Sequence, residues 1–284
     1  MIKDKILFII DPLAYNNNYI LEQFAQDSDF IIADSDEYNY SINDDKFELG
    51  ICLNNKYIDV ENFKNIVVYS KPCNFNLFLE KIDNSNINLL NGNFLNSKNH
   101  KLINNKVSQH LFFKKNNIPF LGISNNFLIE NKDDLIFKMK AGSFGEGICL
   151  PKDKSKLEFK NMMTKHNSFL EKFISNKKDY RVMLINKKSL GAVYKENQNN
   201  KIVNFYSGAV FHKVDFPELE QIAEKICNLL DLDYCAIDFI VDNDTKKIYV
   251  LEINFFAKFE GFESVYGKGL ILKKIKEYFS DSED

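Results

Sequence analysis

Two apolar runs in the C-terminal third constrain the fold of this chain most. Residues 234–241 (Tyr-Cys-Ala-Ile-Asp-Phe-Ile-Val) and 247–254 (Lys-Ile-Tyr-Val-Leu-Glu-Ile-Asn) read as strands, and Asp242 to Lys246 reads as the turn between them. Folded about Thr245, they bring Asp238 and Glu252, each seven residues from it, face to face. Directly opposed residues have Cβ atoms about 4.5–5.5 Å apart. Asn254, two residues on, shares that face roughly 7 Å along the strand. Two carboxylates in such apolar strands repel each other and lose hydration unless a cation joins them. All three donors are oxygens, with no His or Cys on the face, which favours magnesium over zinc. The alternative is a polar strand face at the surface, and the apolar intervening and flanking positions weigh against it. Everything rests on register, because a one-residue slip turns each side chain to the other face.

The rest of the chain alternates strand-like and helix-like patterns, predicting an α/β fold. Strands are expected at 5–10, 29–33 and 65–69, helices at 18–27 and 74–82, and a hairpin at 48–53 and 56–60 across Asn54-Asn55. Residues 87–90 close this first unit, assigned to 1–95, and the polar stretch 91–99 reads as a boundary. A second unit over 96–284 opens with a helix at 105–116, with Val107, Leu111 and Phe112 at helical spacing and Pro119 beyond its end. Strands at 135–140, 147–150, 169–174, 180–185 and 190–195, and helices at 156–165, 217–230 and 270–279, complete the pattern.

Composition excludes several classes. Net charge is −3 and the pI about 5.9, so the chain carries no basic footprint for nucleic acid. No apolar run is long enough to span a bilayer. Residues 1–5 lack a signal peptide's apolar core, and the five cysteines form no CxxC pair, so a cytoplasmic location with reduced thiols is expected. Lysine and asparagine dominate, and of 37 basic residues only Arg181 is an arginine. Where lysine replaces arginine almost everywhere, a surviving guanidinium suggests a planar, bidentate contact; a leftover surface arginine is the plainer alternative.

The segment 138–147 (Lys-Met-Lys-Ala-Gly-Ser-Phe-Gly-Glu-Gly) places glycines between two strands. It lacks the GK[ST] of a P-loop, and a strand follows where a dinucleotide fingerprint needs a helix. Such a flap lets backbone N–H groups approach phosphate oxygens; alone, three glycines in six residues favour the plainer reading, a hairpin with flexible turn glycines.

Flap and carboxylate cluster together resemble the ATP-grasp superfamily, in the branch of glutathione synthetases and RimK-type carboxylate–amine ligases. The likeness runs from Asp11-Pro12 to Gly267, with motifs in the family's order. Asn104-Asn105-Lys106 and Asn117-Ile118-Pro119 are similar to its "DK … GIP" segment, making Lys106 an ATP-contacting lysine. Lys138 matches the second such lysine, and Gly142, Ser143, Gly145 and Gly147 the phosphate flap. Glu171, Lys172, Phe173 and Ile174 match the hinge that holds adenine through its backbone. Asp179 and Arg181 match a "DxR" element near ribose and phosphate. Asn204 to Gly208 resemble the active-site loop, and Asp238, Glu252 and Asn254 the magnesium ligands.

The resemblance implies an ATP-grasp fold with an N-terminal Rossmann-like pre-ATP-grasp domain. Within the second unit, 119–168 would form the lid and 169–284 the subdomain carrying the metal cluster. It implies an ATP-dependent ligase forming an amide or peptide bond through an acyl phosphate, with ATP and two Mg²⁺ ions, Mn²⁺ able to substitute. The partners implied are a small-molecule carboxylate and amine, or a protein or peptide tail as acceptor, with no nucleic acid or membrane partner and a homodimeric or homotetrameric assembly. A kinase acting on a hydroxyl and a non-catalytic ATP-binding regulator are the alternatives. This sequence departs from the family's pattern at Ser207, at Gly208-Ala209 and at Phe256-Ala257-Lys258, which border the acceptor site in relatives. Lys195 and Lys258 are expected to face an anionic substrate group, although Lys258 extending to solvent is an equal reading. Asp11 would either face the acceptor or cap its strand.

Overall fold

The computed structural model describes residues 4–10, 18–24, 26–35, 38–43, 46–53, 56–69, 75–83, 85–124, 135–140, 155, 158, 161, 168–174, 178–196 and 210–281. Strand β1 (Ile6–Ile10) is buried along its whole length, as a continuous apolar run covered on both faces requires. After α1 (Asn18–Phe24), β2 (Phe30–Asp34) returns parallel to β1. An antiparallel excursion follows: β3 (Tyr38–Asn43), β4 (Lys46–Leu53) and β5 (Lys56–Asp59). The β4–β5 hairpin matches expectation, with Ile51 opposite Ile58; β3 was not anticipated, and its Tyr40 and Ile42 are exposed at the sheet edge. The chain then enters β6 (Asn65–Val68), α2 (Phe75–Asp83) and β7 (Asn88–Leu89), giving a parallel sheet in the order β2-β1-β6-β7.

The polar stretch after β7 is a packed joint. It forms α3 (Gly92–Asn96) and a 3-10 turn (Lys98–Leu102). Its apolar residues Phe94, Leu95 and Leu102 are buried, and the Phe94 ring stacks on Phe255 at 4.7 Å. Asn91 adopts the left-handed conformation, φ 64°. Its Oδ1 accepts from the Asp233 and Tyr234 N–H groups, both at 2.7 Å, and its Nδ2 donates to the Tyr234 carbonyl at 2.8 Å. One asparagine thus satisfies three buried backbone groups.

Helix α4 (Lys106–Lys115) is capped by Asn105, whose side chain accepts from Ser108 N–H at 3.1 Å. Its inward face differs from the expected stripe: Leu111 is 56% exposed, whereas Gln109, His110 and Phe113 are buried. The helix turns polar groups inward because they have partners there. Gln109 Oε1 accepts from Ile253 N–H at 2.9 Å, and its Nε2 donates to the Ile253 and Leu102 carbonyls.

A small antiparallel sheet follows, in the order β8-β10-β9: β8 (Ile123–Ser124), β9 (Leu135–Met139) and β10 (Ser168–Lys172). Of the helix expected at 156–165, Glu158 and Asn161 are described, both helical. The expected strand 147–150 lies outside the described residues. The main sheet is antiparallel, ordered β13-β12-β11-β14-β15, from β11 (Lys178–Ile185), β12 (Lys188–Glu196), β13 (Val210–Val214), β14 (Tyr234–Val241) and β15 (Ile248–Asn254). Helix α5 (Pro217–Leu230) packs Leu219, Ala223 and Ile226 into the cluster that holds Val182, Ala192, Ile237 and Val250. The other face, with Met183, Val193 and Ala236, joins Phe262 of α6 (Glu260–Tyr266), Ile271 of α7 (Leu270–Asp281), and Phe8 of β1. Helix α6 and strand β13 were not anticipated. Among the described residues, no helix is long and apolar enough to cross a membrane.

Replacing Asn91 by glycine keeps the left-handed backbone accessible and removes only the side-chain bonds. Urea unfolding of Asn91→Gly should show a loss of about 3 kcal/mol, the scale of stranding buried backbone donors and acceptors; an unchanged midpoint and slope would show the joint to be dispensable.

Candidate active site

The registers of the main sheet assemble the site. Residues paired across neighbouring strands share a face, and Arg181 pairs with Asp238, Asp238 with Glu252, and Asp179 with Lys195. These five, with Asn254, continue the face that buries Met183, Val193 and Ala236. The hairpin reaches this register by an unexpected route. Near the turn Val241 pairs with Ile248 and Phe239 with Val250, one residue short of symmetry about Thr245. A bulge then leaves Leu251 without a cross-strand partner and restores Asp238 opposite Glu252. The bulge also explains why Val250 and Ile253, three apart, enter the same hydrophobic cluster.

Arg181 grips Asp238 with two parallel bonds, Nε to Oδ1 at 2.6 Å and Nη2 to Oδ2 at 2.8 Å. The Asn254 amide donates to the same carboxylate at 3.1 Å, and Arg181 Nη1 reaches the Lys258 carbonyl at 3.4 Å. This is the bidentate contact that the lone arginine suggested. Burial alone would raise the Asp238 carboxyl; Arg181, Lys195 and Asn254 outweigh it and bring it down to about 2. Asp179 has the opposite balance: burial dominates over the Lys195 charge, Asp238 adds repulsion, and its carboxyl is pushed up to about 6. Lys195 is itself buried.

The two lysines expected to meet ATP sit in ion pairs. Lys106, at the first position of α4, pairs with Glu252, and Lys138 on β9 pairs with Glu171 on β10. Lys138 lies opposite Phe169, so Glu171, two residues along, shares its face. The Lys106 N–H donates to the Lys140 carbonyl at 3.2 Å, tying the start of α4 to the end of β9. Burial disfavours charge on both Glu171 and Lys138, yet each holds the other ionised: the carboxyl lies below its usual range and the ammonium above. The Lys172 N–H donates to the Gly122 carbonyl at 3.2 Å, and Phe173 and Ile174 are half-buried just beyond β10. The side chain of Lys258 is half-buried.

Lys106, Asp179, Arg181, Lys195, Asp238, Glu252 and Asn254 are therefore brought together, with Lys138 and Glu171 joined through β9–β10. Asp11, Gly142, Ser143, Gly145, Gly147, Asn204 and Gly208 lie outside the described residues. For a magnesium ion the donor chemistry fits: two opposed carboxylates and an amide offer oxygen only. No group of three or more His, Cys, Asp or Glu gathers into a metal cluster among the described residues. The sequence reading overlooked His110, which binds the Lys106 carbonyl and Glu171 at once. Its one legible signal is its place one helical turn after Lys106.

A family model of the RimK-like ATP-grasp domain matches residues 124–278. The chain belongs to that family. It is 32% identical over 123 residues to an uncharacterized protein of Mycoplasma genitalium, a stretch spanning 42% of each chain. The tetrahydromethanopterin:alpha-L-glutamate ligase of Methanocaldococcus jannaschii is 27% identical over 195 residues, covering 61% of this chain and 66% of that one. In fold it is similar to a Chryseobacterium gregarium RiPP-associated ATP-grasp ligase solved with ADP and a leader and core peptide. The TM-score is 0.70 at 17% identity, covering 98% of this chain and 97% of that one. D-alanyl-alanine synthetase A from Vibrio cholerae gives a TM-score of 0.64 at 11% identity, covering 96% and 94%. The fold is that of ATP-grasp ligases.

The Asp179 carboxyl gives a pH test. Its folded value of about 6 lies above the 3.8 of the unfolded chain, so the unfolded chain releases its proton first. Stability therefore falls as pH rises from about 4 to 6, and the cost is fully present above that window. Asp179→Asn removes the cost, so urea unfolding should show a larger gain over wild type at pH 8 than at pH 4. An equal gain at both values contradicts the assignment.

Proposed function

We propose that this chain is an ATP-dependent carboxylate–amine ligase that forms an amide or peptide bond through an acyl phosphate. The observation that carries the reading is the sheet face where Arg181 and Lys195 alternate with Asp179, Asp238 and Glu252, with Lys106 reaching Glu252 from the start of α4. Buried charges at this density are costly unless they serve a polyanion and its counter-ion. On this reading Lys106 and Lys138 would exchange their carboxylate partners for phosphate oxygens, and Arg181 would meet charge developing on the transferred group. Asp238, Glu252 and Asn254 would hold magnesium, which supplies charge neutralisation at the phosphates.

The substrate carboxylate attacks the γ-phosphate, ADP leaves, and an amine displaces phosphate. Positioning and charge stabilisation carry such a reaction, and no protein nucleophile is needed. The division at residue 95, the lid over 119–168 and the roles of Gly142, Ser143, Gly145, Gly147, Asn204 and Gly208 belong to the same reading. Solved structures of similar fold hold precursor peptides, which supports including peptide tails among the acceptors.

The test is ADP and phosphate release across panels of carboxylates, peptides included, with and without amines, and mass spectrometry of the product. Amine-dependent release with amide formation is expected, and Asp238→Asn and Glu252→Gln should each lose about 10²-fold in turnover. ADP formation with the phosphoryl group retained on a hydroxyl would make the chain a kinase instead.

A further inference from the structure

His110 has no place in the mechanism so far, yet it is fixed between both lysine systems. It lies on α4, its side chain only 2% exposed. The rings of Phe113, Phe120 and Phe169 surround it, with centroids at 5.7–5.8 Å. Nδ1 stands 2.7 Å from the Lys106 carbonyl oxygen and Nε2 stands 3.1 Å from Glu171 Oε1. Both partners are acceptors. A carbonyl has no proton to give, and Glu171, also paired with Lys138, is held ionised and has none either. For both contacts to be hydrogen bonds, both ring nitrogens must carry protons. Glu171 meets the ring directly, and Lys138 pairs with Glu171 behind it.

We propose that His110 is an imidazolium that serves as the standing counter-charge of Glu171, so that Lys138 can leave Glu171 for a nucleotide phosphate. The inference rests on the nucleotide-site reading above. The electrostatic logic is direct. A buried Lys138–Glu171 pair alone is internally neutral and attracts a polyanion weakly. If Lys138 then turned to a phosphate, it would strand a buried carboxylate, and breaking such a pair by removing one partner is strongly unfavourable. With His110 cationic, the trio carries net positive charge before the nucleotide arrives, and Glu171 keeps a partner afterwards. The bond from Nδ1 to the Lys106 carbonyl holds the ring in register with the first turn of α4, where the other phosphate lysine starts. His110 is thus a positioning residue acting through Glu171.

The ring's protonation can be read directly from the ¹⁵N-labelled wild-type protein. At pH 7.5 the ring ¹⁵N shifts of His110, assigned by their loss in His110→Gln, should show the imidazolium pattern, both nitrogens protonated. Calorimetric titration should show Mg-ADP binding weakened about tenfold or more in His110→Gln, which offers Glu171 only a neutral amide. The loss should vanish in a Glu171→Gln background, because the charge His110 answers is then gone. A neutral-tautomer pattern, or His110→Gln affinity within twofold of wild type, overturns the proposal. If His110→Gln fails to fold, the ring signal that persists in each of the His100, His166 and His212 single variants is that of His110, and its pattern decides. Wild type that binds no Mg-ADP overturns the nucleotide reading itself, while the ring pattern still shows separately whether His110 is cationic.

Discussion

The structure depends on charged residues facing one another across the main sheet. Asp238 lies between Arg181 on one neighbouring strand and Glu252 on the other. The arrangement holds because a single extra residue, Leu251, shifts the β15 register before it reaches Glu252. Without that bulge the side-chain alternation from Val250 would turn Glu252 toward Leu219 and Ile226 of α5, away from Asp238. Carboxylates and their partners then satisfy each other: buried Asp238 with Arg181 and Asn254, half-buried Glu252 with Lys106, and buried Glu171 with Lys138 and His110.

This self-paired arrangement links packing to the proposed chemistry. Every cation assigned to a phosphate already rests on a carboxylate, so the folded chain pays no penalty for unpaired buried charge. A magnesium–nucleotide complex brings both partners that the exchange needs, phosphate oxygens for the lysines and a cation for Asp238 and Glu252. The joint at Asn91 places the N-terminal sheet against the same face: the Tyr69 hydroxyl, beside β6, donates to the Ala257 carbonyl at 2.9 Å, and the Tyr234 hydroxyl donates to the same oxygen.

Much of this was legible in the sequence because strong periodicity and rare residue types mark it. The strands over 234–241 and 248–254 and the helix over 217–230 follow from continuous or amphipathic apolar patterns. The pairing of Asp238 with Glu252 came out right although the turn is not symmetric about Thr245; the bulge cancels the offset, and no single-residue pattern announces a bulge. Arg181 stood out only because lysine is so common elsewhere. The face of α4 was misread because a helix that buries Gln109 and His110 for the sake of hydrogen bonds leaves no apolar stripe. The 91–102 joint looked like a linker because three apolar residues, Phe94, Leu95 and Leu102, among asparagines and lysines are enough to anchor it.

The most direct measurement is a crystal structure of the chain with Mg-ADP. The expected result is Lys106 Nζ and Lys138 Nζ on phosphate oxygens, the Lys106–Glu252 pair broken, a magnesium ion held by Asp238 and Glu252, and Glu171 still bonded to His110. A nucleotide bound with both lysine–carboxylate pairs intact, or seated away from this sheet face, contradicts it.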